Sequence, residues 1–267
     1  MLRMKASNPR TALLFFVIFS SLYPWISTAS SQCSENPPTL DPSYGKGSVM
    51  EDLGGLKVYV SGDPKSKHAI ILVSDIYGYE APNLRKIADK VAAFGFYVVV
   101  PDFFRGEPYV DNNPKRPLDV WLKEHPQQKG FEDSKSVIAV LKKKGISVIG
   151  AAGFCWGGKV VVDLAKTNMI KAIVALHPSL VTVDDIKDVK QPIAILGAEK
   201  DEITPPTLVK QFQEILSKKH EIDSFVKIFS GVAHGFSVRY KADDKFAVKK
   251  AEEAQKDMLH WFLKHIN

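Results

Sequence analysis

The chain has 267 residues, 45% hydrophobic and 25% charged, with a formal net charge of +6. This excludes a disordered tail, a collagen-like repeat and a polytopic membrane protein, and the two cysteines, Cys33 and Cys155, are too few for a disulfide scaffold or an all-cysteine zinc site. Arg3, Lys5 and Arg10 lie in a leader with no acid before Glu35, and setting them aside lowers the charge from +6 to +3. The remaining Lys and Arg alternate with Asp and Glu, the pattern of a solvated surface and not of a nucleic-acid-binding stripe.

Residues 1–29 read as a secretory signal peptide. A basic start leads into the apolar run Ala12–Phe19, and Ser27, Thr28, Ala29 and Ser30 give a small-residue exit. Cleavage near Ala29 is expected, and with it secretion to the cell exterior or wall. The apolar run is too short for a comfortable membrane span, so no stable membrane insertion is expected afterwards. An uncleaved anchor and an organelle transit peptide are the alternatives.

Residues 30–55 carry Pro37, Pro38, Pro42, Gly45, Gly47, Gly54 and Gly55, a loop-rich lead-in. Strands and helices then alternate to the end of the chain. Leu56–Val60 is a short strand. Ala69–Ser74 is a β-branched apolar run of the kind buried on both faces of a sheet. A helix follows over Asn83–Phe94 and stops at Gly95, and Tyr97–Val100 is the next strand. Residues 103–130 have no period and read as an excursion forming a lid or pocket wall. Helix Phe131–Lys144, strand Ser147–Ala152 and helix Gly157–Thr167 come next. Strands Ile170–Leu176 and Pro192–Leu196, helix Pro205–Lys219, strand Phe225–Phe229 and helix Lys245–Lys264 complete the chain. This alternation predicts one α/β domain over residues 56–267, a mostly parallel sheet with helices on both faces.

Ligands of such sheets bind where the strands end, so the loops after strands are the places to look for chemistry. Gly153-Phe154-Cys155-Trp156-Gly157-Gly158 follows one strand and opens a helix. It is the G-x-nucleophile-x-G elbow with cysteine at the nucleophile position. The helix N-terminus stabilises a thiolate there, and the Trp156 N–H supplies half of an oxyanion hole. Of seven histidines only His177 and His234 follow buried strands. His234 comes after the last strand, where the third member of a triad belongs, whereas His177 reads as a histidine hydrogen-bonded at a strand end. Asp201, just past the strand ending at Leu196, is the orienting acid, with Glu199 and Glu202 as alternatives. Cys33 stays open: free, paired with another chain, or paired with Cys155, which would block the nucleophile.

Gly153–Lys159 (GFCWGGK), Gly197–Pro206 (GAEKDEITPP) and Ala233–Phe236 (AHGF) together resemble the dienelactone hydrolase family of α/β-hydrolases, from about Leu56 to the C-terminus. The lead-in Cys33–Leu40 and the stretch Val73–Asn83 resemble secreted plant members, some of which carry the name endo-1,3;1,4-β-D-glucanase. The resemblance implies an α/β-hydrolase fold, a Cys155–His234–Asp201 triad, oxyanion N–H groups from Ile76 and Trp156, and no metal or cofactor. It implies a small ester or lactone as substrate. Asp75 stands where the family's hydrolases carry a glutamate that contacts the resting thiol. Arg105 and Arg239 lie one residue away from two arginines that hold a substrate carboxylate. A cell-wall glucan hydrolase and a non-catalytic wall or binding protein are the alternatives. A glycosidase needs two carboxyl groups about 5–9.5 Å apart, and no spacing selects such a pair from Asp75, Glu80 and Asp201. Oligomeric state is not legible.

Overall fold

The structure, a computed structural model, describes residues 31–266. The expected signal peptide lies outside the described residues. Eight strands form one sheet: β1 Ser48–Met50, β2 Val58–Ser61, β3 His68–Val73, β4 Tyr97–Pro101, β5 Val148–Phe154, β6 Ala172–Leu176, β7 Ile193–Lys200 and β8 Ser224–Ala233. Their order is β1-β2-β4-β3-β5-β6-β7-β8, with the β1–β2 and β2–β4 pairings antiparallel and the other pairings parallel. Among the described residues, besides a helical turn at 31–34, seven helices accompany them: α1 Pro82–Ala92, α2 Leu118–Glu124, α3 Gln127–Lys143, α4 Trp156–Ala165, α5 Val183–Lys187, α6 Pro206–Leu216 and α7 Lys245–His265. This is the α/β-hydrolase architecture. Among the described residues no helix is long and apolar enough to cross a membrane.

The two-residue period of β3 explains why both sheet faces are covered. Ala69, Ile71 and Val73 enter one apolar cluster with Val137 and Leu141 of α3, Val160 of α4 and Phe212 of α6. Ile70 and Leu72 enter the other, with Leu84 and Ile87 of α1 and Met258 and Phe262 of α7. A strand apolar at every position can only be satisfied between two helical layers.

Several elements differ from the sequence expectations for local reasons. The excursion at 103–130 contains α2 and the first turn of α3. Helix α2 spans only seven residues, with Leu118, Trp121 and Leu122 packed on the core, too short a run to stand out as a period, and Gln127–Lys129 carry no apolar residue. The lead-in holds a helical turn at residues 31–34 and the three-residue edge strand β1. Helix α5, absent from the sequence reading, starts on a capping box in which Thr182 and Asp185 satisfy each other's backbone N–H. Strand β7 continues through Lys200, so the chain leaves the sheet directly at Asp201.

Candidate active site

The site is built on the C-terminal ends of β3, β5, β7 and β8. Cys155 sits between β5 and α4 with φ +50° and ψ −109°, a left-handed conformation that a non-glycine residue adopts only under strain of about 1–3 kcal/mol. Its backbone is pinned: the Cys155 N–H donates to Leu176 O at 3.2 Å, and its carbonyl accepts from Gly158 N at 2.9 Å and Ser179 N at 3.0 Å. The flanking glycines are there for space. A Cβ on Gly153 would lie 2.1 Å from Gly157 O, and one on Gly157 would lie 2.3 Å from Val73 O. The sharp turn that aims the sulfur out of the sheet therefore exists only with glycine at these positions.

Asp201 and His234 meet from neighbouring strand ends. His234 Nδ1 lies 2.9 Å from Asp201 Oδ2, and both side chains are fully buried. Asp201 Oδ1 accepts the N–H groups of Ile203 and Thr204 at 2.9 and 3.0 Å, which fixes the carboxylate. With Nδ1 engaged, Nε2 is the nitrogen left for the sulfur, and it has no hydrogen-bond partner among the described residues. A ring nitrogen of His234 and the Sγ atoms of Cys155 and Cys33 all lie within 4.8 Å of one another. Burial opposes charging of His234, but its attraction to the Cys155 sulfur and to the Asp201 carboxylate outweighs it and pushes the pKa up to about 9. The hydrogen bond to Cys33 and burial raise the Cys155 thiol well above its ordinary value.

Of the two expected oxyanion donors, Trp156 is the first residue of α4, so its N–H has no acceptor within the helix. Ile76 is buried after β3, and its N–H has no acceptor among the described residues. His177 is fully buried beside the site: its Nε2 lies 2.8 Å from Ser237 Oγ, and its ring stands edge-on to His234 with centroids 5.2 Å apart. Burial keeps it neutral, well below its ordinary pKa.

The remaining candidates make contacts other than those expected of them. Asp75 has no hydrogen bond to Cys155 among the described residues. Its Oδ1 accepts Tyr77 N at 3.0 Å, and its Oδ2 lies 3.6 Å from Arg239 Nε. The neighbours of the thiol are Cys33 Sγ at 3.8 Å and Ser179 Oγ at 3.9 Å. Arg239 is buried, donates to the carbonyl oxygens of Cys33 and Gln32, and lies over the Tyr77 ring. Arg105 instead forms a two-pronged ion pair with Asp133 at 2.9 and 3.0 Å. It lines a surface recess with Phe104, Glu107, Arg116, Glu124, His125 and Lys129, none of them a triad candidate. Sequence reasoning missed Ser179, Gln32 and Tyr77, because their contacts join segments far apart in the chain. Among the described residues, Cys33, Cys155 and His234 are the group whose donor atoms are close enough to hold a metal ion.

Residues 56–266 match the family model described as "Dienelactone hydrolase family". The chain is 45% identical over 223 residues to an "Endo-1,3;1,4-beta-D-glucanase" of Zea mays, covering 81% of this chain and 72% of that protein. It is 34% identical over 229 residues to a "Carboxymethylenebutenolidase homolog" of Xenopus tropicalis, covering 84% and 93%. A solved esterase from Pyrococcus furiosus superposes with a TM-score of 0.60 at 15% identity, over 87% of this chain and 100% of that one, a likeness of fold.

Proposed function

The chain belongs to the dienelactone hydrolase family and is a hydrolase, and on that premise we propose that it cleaves a small carboxylic ester or lactone through Cys155, His234 and Asp201. In its neutral form His234 takes the Cys155 proton at Nε2 while Asp201 holds the ring through Nδ1. The thiolate attacks the carbonyl carbon, and the N–H groups of Ile76 and Trp156 receive the negative oxygen, each donor contributing about 3–4 kcal/mol. His234 then protonates the leaving alkoxide, which departs and leaves a thioester on Cys155. Water, deprotonated by His234, releases the acid and restores the thiol. The observation that carries this reading is the buried His234–Asp201 bond of 2.9 Å, with a ring nitrogen within 4.8 Å of a sulfur held at a strained elbow. We further propose, from residues 1–29, that the protein enters the secretory route.

A second reading, glucan cleavage, is favoured by the name of the maize relative. The acids oppose it. Asp201 uses both oxygens inside the protein, and Asp75 is turned to Arg239 and the Tyr77 amide. A glycosidase needs a protonated acid facing the leaving oxygen and a carboxylate facing the sugar; Asp201 has no oxygen left for either part, and Asp75 is buried against Arg239. Aryl esters, lactones and mixed-linkage glucan, assayed on wild type and Cys155→Ala, separate the readings. Ester or lactone cleavage is expected to fall at least 1,000-fold in the variant. Glucan cleavage that survives the substitution would overturn the proposal.

A further inference from the structure

The helical turn at residues 31–34 is fastened across three of the loops that build the site. Gln32 Nε2 donates to Lys200 O at 3.0 Å and Gln32 Oε1 accepts Glu202 N at 2.8 Å, bracketing Asp201. Arg239, after β8, donates to the carbonyls of Gln32 and Cys33, and the Tyr77 hydroxyl, after β3, donates to Ser34 O at 2.8 Å. These contacts bring Cys33 Sγ to 3.8 Å from Cys155 Sγ, both thiols free and buried. Beneath this turn Cys155 has no exposed surface, whereas Cys33 keeps 9%. A buried thiol pair facing a histidine whose Nε2 has no partner is a reaction centre in its own right, apart from ester cleavage.

We propose that Cys33 and Cys155 are a reversible disulfide-forming site that takes soluble disulfides of the glutathione class. Cys33, the more exposed thiol, reacts first. Its thiolate attacks one sulfur of the soluble disulfide, forming a mixed disulfide and expelling one thiolate, which takes up the Cys33 proton from water. Cys155, its proton taken by His234, then attacks the Cys33 sulfur and expels the second thiolate, which receives that proton. The protein sulfurs lose two electrons, the soluble disulfide gains them, and two small thiols leave. Closing the sulfurs from 3.8 Å to about 2.05 Å asks for a small shift of one turn that is held by hydrogen bonds and not by strand pairing. The consequence for hydrolysis rests on Cys155 being the nucleophile: the disulfide removes it from the reaction and fastens residues 31–34 over the site until a reductant releases it.

The test uses the full chain, reduced and then incubated with oxidised glutathione. Free thiols are trapped with iodoacetamide and the digest is examined by mass spectrometry without reduction. Peptides joined through Cys33 and Cys155 are expected. Hydrolysis of an aryl ester should fall at least tenfold and return with dithiothreitol. Cys33→Ser should form no joined peptide and should keep its own reduced-state activity through the same treatment. Joined peptides with unchanged hydrolysis would support the thiol pair and overturn the nucleophile assignment. Cys155-dependent hydrolysis without joined peptides would overturn the pair and leave the nucleophile standing. Equal, reversible inactivation of wild type and Cys33→Ser, or thiols kept from oxidation by a metal ion until a chelator is added, would also overturn it. The wild-type peptide analysis decides the question even if the variant fails to fold.

Discussion

Asp201 commits both carboxylate oxygens inside the protein, one to two backbone N–H groups and one to His234. An unpaired imidazolium in this buried place would be costly, and the carboxylate 2.9 Å away is what makes it tolerable. The coupling has a stability consequence of definite sign. His234 has its pKa raised from 6.5 to about 9, so the folded state binds the proton more tightly than the unfolded chain does. That contribution is fully present below pH 6.5 and is lost as the pH rises through about 9. Urea unfolding between pH 6 and pH 9.5 is therefore expected to show a loss of stability on the order of 2–3 kcal/mol. Asp201→Asn is expected to flatten that slope, because its amide holds the ring without a charge. An unchanged slope would assign the pH dependence to other groups. At this scale the sequence made Cys155, Asp201 and His234 legible because each is punctuation after a strand. It could not show where Asp75 and Arg239 point, since each is partnered by segments distant in the chain.

The elbow shows how two elements constrain a residue type. Strand β3 and helix α4 approach so closely beside Cys155 that a methyl on Gly157 would meet the Val73 carbonyl at 2.3 Å, and backbone cannot yield as a flexible side chain can. Gly157→Ala is expected to cost about 3 kcal/mol or more, read as a drop in the urea midpoint. Wild-type stability in this variant would mean that β3 and α4 are less tightly apposed than described. Elements with a sustained apolar period were legible, as in α1, whose Leu84, Ile87, Ala88 and Val91 line one face. Elements of one turn were not. Helix α5 rests on its capping box, and Asp185 also takes ion pairs from Lys159 and Lys166, contacts that no periodicity announces.

Across the whole molecule, one sheet carries an apolar layer on each face, and each strand of its centre belongs to both. Loss of either layer strips the same strands. Leu141→Ala on one face and Phe262→Ala on the other, both fully buried, are each expected to cost about 2–5 kcal/mol. Both should lower a single transition seen alike by circular dichroism and tryptophan fluorescence. Two separated transitions in either variant would show that the layers unfold independently.

The alternation of apolar strands and amphipathic helices, and the glycines on both sides of Cys155, were decided by residues close together in the chain. Burial periodicity and steric room at a turn are local properties, and the sequence by itself carried the mostly parallel α/β architecture and the position of the elbow. The approach of Cys33 to Cys155, 122 residues away, and the capture of Arg239 by the carbonyls of residues 32 and 33 were decided by tertiary structure alone. Residues 31–55 have no period to read, and where such a segment lies is set by the hydrogen-bonding groups that the strand ends offer it once the sheet has formed.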